Sequence, residues 1–200
     1  MEKTYSNSKT GNIVKLGLFF ALVFIQTWVP FLGNINTPLL SVTIVHVTVI
    51  VATLWLGIKE GALVGTFWGI NSWLRALIMP NSLMAAMVFN SPIISVLPRF
   101  LMPLIIGAIY YNLSKNLQNS KMVHILLGAL GSLLNTAIVL GFIGLFRANG
   151  GMQALGADTS AHLWKVLWGI VISNGVPEFL FSGIVTPPLL AAVKYSSRRK

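Results

Sequence analysis

Apolar residues run through this chain in long stretches separated by short polar turns. About 20 mostly apolar residues suffice to cross a bilayer as a helix, and six such stretches are present, at 13–31, 38–56, 61–79, 93–113, 122–146 and 164–194. Strand-type alternation is absent, and a membrane barrel would read as segments of about ten residues with one polar face. The connections are short except around Arg147–His162, where Gly150, Gly151, Gly156 and Asp158 mark a surface loop. The pattern predicts an all-α polytopic membrane protein, a single membrane domain over residues 1–200 with six transmembrane helices. Lys3, Lys9 and Lys15 precede the first stretch, as in a signal peptide. That stretch is too long for an h-region and lacks an A-x-A cleavage site, so it is read as a span.

Composition sharpens this picture. Hydrophobic residues make up 55% of the chain and charged residues 9%, against about 25% charged in a soluble domain. An ordinary water-soluble globule is excluded. The 14 basic and 4 acidic residues give a net charge of +10, but they are spread thinly and form no dense nucleic-acid-binding face. Ten of the 14 (Lys3, Lys9, Lys15, Lys59, Lys115, Lys121, Lys194, Arg198, Arg199 and Lys200) fall on one side of a six-span chain. The positive-inside rule makes that side the cytoplasm and puts both termini there. Arg147 and Lys165 fall opposite. Trp28, Trp73 and Trp164 lie near outer span ends and Trp55 near an inner one, as interfacial anchors. Cysteine is absent, which excludes disulfides and thiolate metal sites. No G-x-x-x-x-G-K-[ST] loop is present for ATP. No metal or cofactor is called for.

Within the spans, Gly61, Gly65 and Gly69 form a smooth stripe suited to close packing of another helix, most simply within the chain. Gly17 and Ala21 form a shorter stripe on the first span, open either to packing within the chain or to a partner helix. Ionisable groups in hydrocarbon are costly unless paired or solvated. Arg75 lies near the outer end of span three, and Arg99 about 10 Å into span four. His46 lies roughly 12 Å into span two, and Asn135 reaches a similar outer-half depth. Asn71 is one turn from Arg75. Together these groups make an outward-facing site in which two guanidiniums suit a carboxylate. Each also has a plainer reading: Arg75 snorkels to headgroups, His46 packs on a carbonyl, and Asn71 and Asn135 join helices. Glu178, preceded by Pro177 and its expected kink, pairs with Arg99, titrates, or floors a pocket. Trp68 and Trp168 either line an aromatic pocket or pack, and the loop Phe31–Leu40 is either a lid or a connector.

The run NSPIISVLPRFLMPLIIGAIYYNL, Asn90–Leu113, resembles the signature of S components, the substrate-binding subunits of energy-coupling-factor (ECF) transporters. The segment Leu39–Ala76 is similar to the preceding part of that family, including its L-G-x-x-x-G-A-x-x-G turn at Leu56–Gly65. The resemblance implies a bacterial cytoplasmic-membrane protein that binds a vitamin in its outer half. It implies docking on a transmembrane coupling protein (EcfT) and two cytosolic ATPases, and delivery by toppling. ATP hydrolysis would then belong to separate chains, and this chain would not be an enzyme. The family's docking stripe A-x-x-x-A corresponds here to Gly17 and Ala21, which favours partner contact for those two residues. The His46 segment and the S-V-L-P-R motif look most like the pantothenate type, although Asn90-Ser91-Pro92 departs from the usual Asn-Pro. Arg99 and Arg75 would hold the carboxylate, with His46, Asn71 and Asn135 on hydroxyl or amide groups. Folate or riboflavin specificity, a proton-coupled carrier using Glu178, an acid–base enzyme using His46 and Glu178, and a ligand-free assembly subunit are the alternatives.

Overall fold

The computed structural model describes residues 9–29, 32–36, 41–80, 85–146, 149, 152 and 156–198. Lys3, Phe31, Pro38, Arg147, Gly150, Gly151, Arg199, Lys200 and the side chain of Asn174 lie outside the described residues. Helix α1 spans Lys9–Trp28 and leads into strands β1, Asn34–Asn36, and β2, Ser41–Thr43. Helices α2, Val45–Leu56, and α3, Ile58–Ile78, follow. Next come a π-helical turn at Ala85–Phe89, α4 at Pro92–Asn112, a short α5 at Lys115–Gln118 and α6 at Lys121–Phe146. The chain finishes with α7, Ser160–Ile170, a second π-helical turn, Val171–Gly175, and α8, Val176–Arg198.

Four of these helices are long and apolar enough to cross a membrane among the described residues: Gly11–Trp28, Pro92–Asn112, Lys121–Phe146 and Val176–Ser197. Helix α3 is equally long at 21 residues but carries Lys59, Glu60, Asn71 and Arg75. Helix α2 is apolar and only 12 residues long.

The second apolar stretch, expected as one helix over 38–56, divides at Ile44. Ser41-Val42-Thr43 pairs antiparallel with Asn34-Ile35-Asn36, and the Ile44 amide closes the hairpin on the carbonyl of Gly33 at 2.8 Å. The β-branched residues here suit a pleated strand as well as a buried helix. The hairpin supplies inter-strand partners for this segment, so helix begins only at Val45. His46 therefore sits in the first turn of α2 rather than two turns inside it.

Helix α2 is buried from Val45 to Leu54 on every side, as an all-apolar helix requires. Helices α1, α3, α4, α6 and α8 pack around it. Its core partners include Phe19, Val23, Val64, Trp68, Met102, Ile106, Leu127 and Leu190. The turn into α3 is made by Gly57 at φ 133°, a conformation that disfavours any side chain. Small residues then set how closely the helices approach. A β-carbon on Gly69 would lie 2.6 Å from the Val96 Cα, and one on Gly131 2.5 Å from Ile50 Cδ1. On Gly128 it would lie 2.5 Å from Thr186 Oγ1 and 2.6 Å from the carbonyl of Ser182. The Gly61, Gly65 and Gly69 stripe thus packs within the chain, against Thr53 of α2 and the backbone of α4.

The last apolar stretch is interrupted by the π-helical turn at 171–175, immediately before Pro177. Proline offers no N–H to the carbonyl four residues earlier, and the wider turn occupies the stretch where that bond is missing.

Large apolar side chains cover the outside of the bundle, among them Ile13, Val14, Leu18, Phe24, Leu126, Ile172 and Ile184. A lipid-facing surface has this character. Trp28 and Trp73, expected as interfacial anchors, make specific hydrogen bonds within the chain. Their indole N–H groups donate to Asn71 Oδ1 and to the Asn90 carbonyl, both at 2.9 Å.

Candidate functional site

Several buried polar groups, Arg99, His46, Asn135 and Glu178 among them, lie toward the hairpin end of the bundle. Gly131 of α6, Ile50 of α2 and Ile106 of α4 meet in one layer. One turn toward the hairpin from it lie Asn135 on α6 and His46 on α2, and seven residues back along α4 lies Arg99. Helix α8 runs antiparallel to α6, with Thr186 facing Gly128 and Glu178 bonded to Thr136.

Arg99 is 8% exposed. Its Nη1 donates to the carbonyl of Ile94 at 2.8 Å, and its guanidinium lies 5.1 Å from the ring centre of Trp68 and 5.3 Å from that of Phe89. Two aromatic faces stabilise a cation removed from water, while Arg99 Nε has no partner among the described residues. The glycine stripe positions this group, because Gly65 allows α3 to touch the Arg99 backbone. Trp68 is one turn along α3 from Gly65.

His46 is fully buried, with Nε2 hydrogen-bonded to the Ser182 hydroxyl at 2.5 Å. Its Nδ1 has no partner among the described residues, and neither does Asn135 Oδ1. A buried polar atom without a partner costs about 1–3 kcal/mol. Three of the five expected site residues, Arg99, His46 and Asn135, thus retain unused hydrogen-bonding capacity in the same region.

The other two are already engaged. Asn71 accepts from Trp28 and donates Nδ2 to the carbonyl of Phe67 at 2.8 Å. Arg75 Nη1 donates to the Thr27 carbonyl at 2.5 Å, a cation placed at the C-terminal end of α1 where the helix dipole favours it. Arg75 lies ten residues beyond Gly65, the residue level with Arg99, or roughly 15 Å along α3. Asn71 and Arg75 therefore fasten the end of α1 from which the hairpin departs.

Glu178 is 6% exposed. It accepts the Thr43 amide at 2.6 Å, is hydrogen-bonded by the side chains of Thr43 and Thr136, and feels the charge of Arg99. The expected relation between Glu178 and Arg99 is thus electrostatic, with no direct salt bridge among the described residues. Sequence reasoning did not single out Thr43, Ser182 or Phe89. Ser182 carried a usable signal, since it follows Glu178 by four residues on one helix face. Trp68 is buried against Arg99, whereas Trp168 is 64% exposed.

The Gly17 and Ala21 stripe has a different environment. Both residues are exposed, and a β-carbon on Gly17 would meet nothing within 4 Å.

Residues 11–190 match the family described as "ECF transporter, substrate-specific component". The chain is 31% identical over 196 residues to the pantothenate transporter PanT of Leuconostoc mesenteroides subsp. mesenteroides, covering 94% of this chain and 92% of that protein. It is 27% identical over 199 residues to the pantothenic acid transporter PanT of Lactococcus lactis subsp. cremoris, covering 93% and 95% respectively. Membership of a transporter family, together with several long apolar helices, makes this a multi-pass protein of the cytoplasmic membrane. The chain belongs to the family of substrate-specific components of ECF transporters.

Proposed function

We propose that this chain binds pantothenate in the outer half of the membrane as the specificity subunit of an ECF importer. The observation that carries the reading is Arg99, a buried guanidinium against Trp68 and Phe89 whose Nε has no partner among the described residues. It would hold the carboxylate of a small anion, with His46 Nδ1 and Asn135 Oδ1 addressing hydroxyl and amide groups. Two relatives named for pantothenate support the choice of anion. Asn71 and Arg75 would serve the site by holding the end of α1 beneath the hairpin, and Arg75 would reach the ligand only by leaving Thr27.

In this reading the chain makes six spans, with α2 and α3 as the two less obvious ones, and both termini are cytoplasmic. The exposed Gly17 and Ala21 face docks on the transmembrane coupling protein EcfT. Two cytosolic ATPases hydrolyse ATP on separate chains, and toppling of the S component delivers the vitamin. Equilibrium binding of radiolabelled pantothenate to the purified protein tests the core of this. Saturable binding that Arg99→Ala abolishes is the expected result, and equal affinity in both proteins would overturn the site.

A further inference from the structure

The exit leg of the hairpin meets α8 at two points. The Thr43 amide donates to Glu178 Oε1 at 2.6 Å, and His46 Nε2 is bonded to the Ser182 hydroxyl at 2.5 Å. Thr43 and His46 are three residues apart across the strand-to-helix junction. Glu178 and Ser182 are four apart on one face of α8. The spacings match, so the junction is gripped by a pair of contacts rather than a single one.

Glu178 is the stronger half of this pair. A buried carboxyl group is tolerated only when hydrogen-bonded or paired, and here a carboxyl oxygen accepts the Thr43 amide. The bonds to Glu178 come from two places, the hairpin through Thr43 and α6 through Thr136, while the charge of Arg99 acts on it from α4. Lifting the hairpin away would strip this carboxyl group of its backbone donor and leave the Thr43 amide without an acceptor.

We propose that Glu178 is a positioning residue that clasps the exit leg of the hairpin, at Thr43, onto α8 and so fixes the start of α2, with His46, at the end of the bundle that carries Arg99. The clasp is formed by the chain alone, and only its effect on ligand release rests on the anion-site reading above. Glutamine at 178 keeps a carbonyl oxygen for the Thr43 amide, whereas leucine removes the acceptor at similar volume. Proline at 43 deletes the donor and leaves Glu178 in place.

Hydrogen–deuterium exchange of the ligand-free, detergent-solubilised full chain reads the clasp directly. In Glu178→Leu, exchange of the amides from Thr43 to Val45 should accelerate on the order of ten- to a hundredfold, while peptides within α4 exchange as in the wild type. Glu178→Gln should stay within a few-fold of wild type. Thr43→Pro supplies the independent arm if the leucine variant does not fold, and it should accelerate exchange at Ile44 and Val45. Dissociation of radiolabelled pantothenate should quicken in parallel in the leucine and proline variants and be restored by glutamine. Unchanged hairpin protection in Glu178→Leu, or loosening of α4 to the same extent as the hairpin, would overturn the clasp. Accelerated hairpin exchange in a chain whose wild type binds no pantothenate would uphold the clasp and remove the ligand assignment instead.

Discussion

Gly65 of α3 lies directly against the backbone carbonyl of Arg99 in α4, with Pro103 Cγ 3.0 Å from the position a β-carbon would take. The neighbour is main chain, which cannot swing aside. Gly65→Ala should force α3 and α4 apart, costing about 1–3 kcal/mol, and move the guanidinium away from Trp68. Both a lowered melting temperature and weaker pantothenate binding are expected. Gly17→Ala, where a β-carbon meets nothing within 4 Å, should change neither and serves as the control.

Arg99→Lys preserves the charge but loses the planar group that lies over Trp68 and Phe89 and forks its donors. Affinity for pantothenate should fall at least about tenfold, or about 1.4 kcal/mol. Isothermal titration of the two purified proteins checks this, and equal affinities would mean that point charge alone suffices.

Removing the Trp28–Asn71 bond by Asn71→Ala, or the Arg75–Thr27 bond by Arg75→Ala, should each destabilise the chain by about 0.5–1.5 kcal/mol. If both residues work by fastening α1, the ligand's dissociation rate should rise in each. The order of affinities among different small anions should stay as in the wild type. A changed anion preference in Arg75→Ala would instead show direct contact with the ligand.

Leucine at Gly17 or Ala21 fills a face that the chain itself leaves open. Stability and pantothenate binding of the isolated protein should be unaltered, while co-purification with the coupling protein and ATPases, and uptake in reconstituted vesicles, should drop. Normal uptake in both variants would remove that face as the docking surface.

The sequence made the helical, membrane-embedded architecture readable because hydropathy is a property of each residue by itself. Expected and observed helices agree within a few residues for α3, α4 and α6. The break near Pro177 was equally readable, since a missing N–H is local chemistry. The start of α2 was not, because Val42, Ile44 and Val45 are equally apolar in a strand or a helix and the deciding partner is the strand eight residues earlier. For the candidate site, the sequence offered residue types but not their pairings. Arg75 and Arg99 look alike in sequence, but one reaches a carbonyl 48 residues away while the other lies against two rings. Thr43 and Glu178 are 135 residues apart, and no periodicity within a single helix announces such a partner.

The passage from β2 into α2 has no intervening loop beyond Ile44, and α2 is enclosed on every side from Val45 to Leu54, two residues short of its end at the sharp corner of Gly57. The helix therefore behaves as a rigid strut of about 18 Å, gripped at one end by α8 and fixed at the other by a backbone angle. A hairpin seated on such a strut cannot shift along the strut's axis without pressing on that corner. Under the proposed reading, a ligand that displaced the start of α2 would therefore load the Gly57 corner through one unslackened segment.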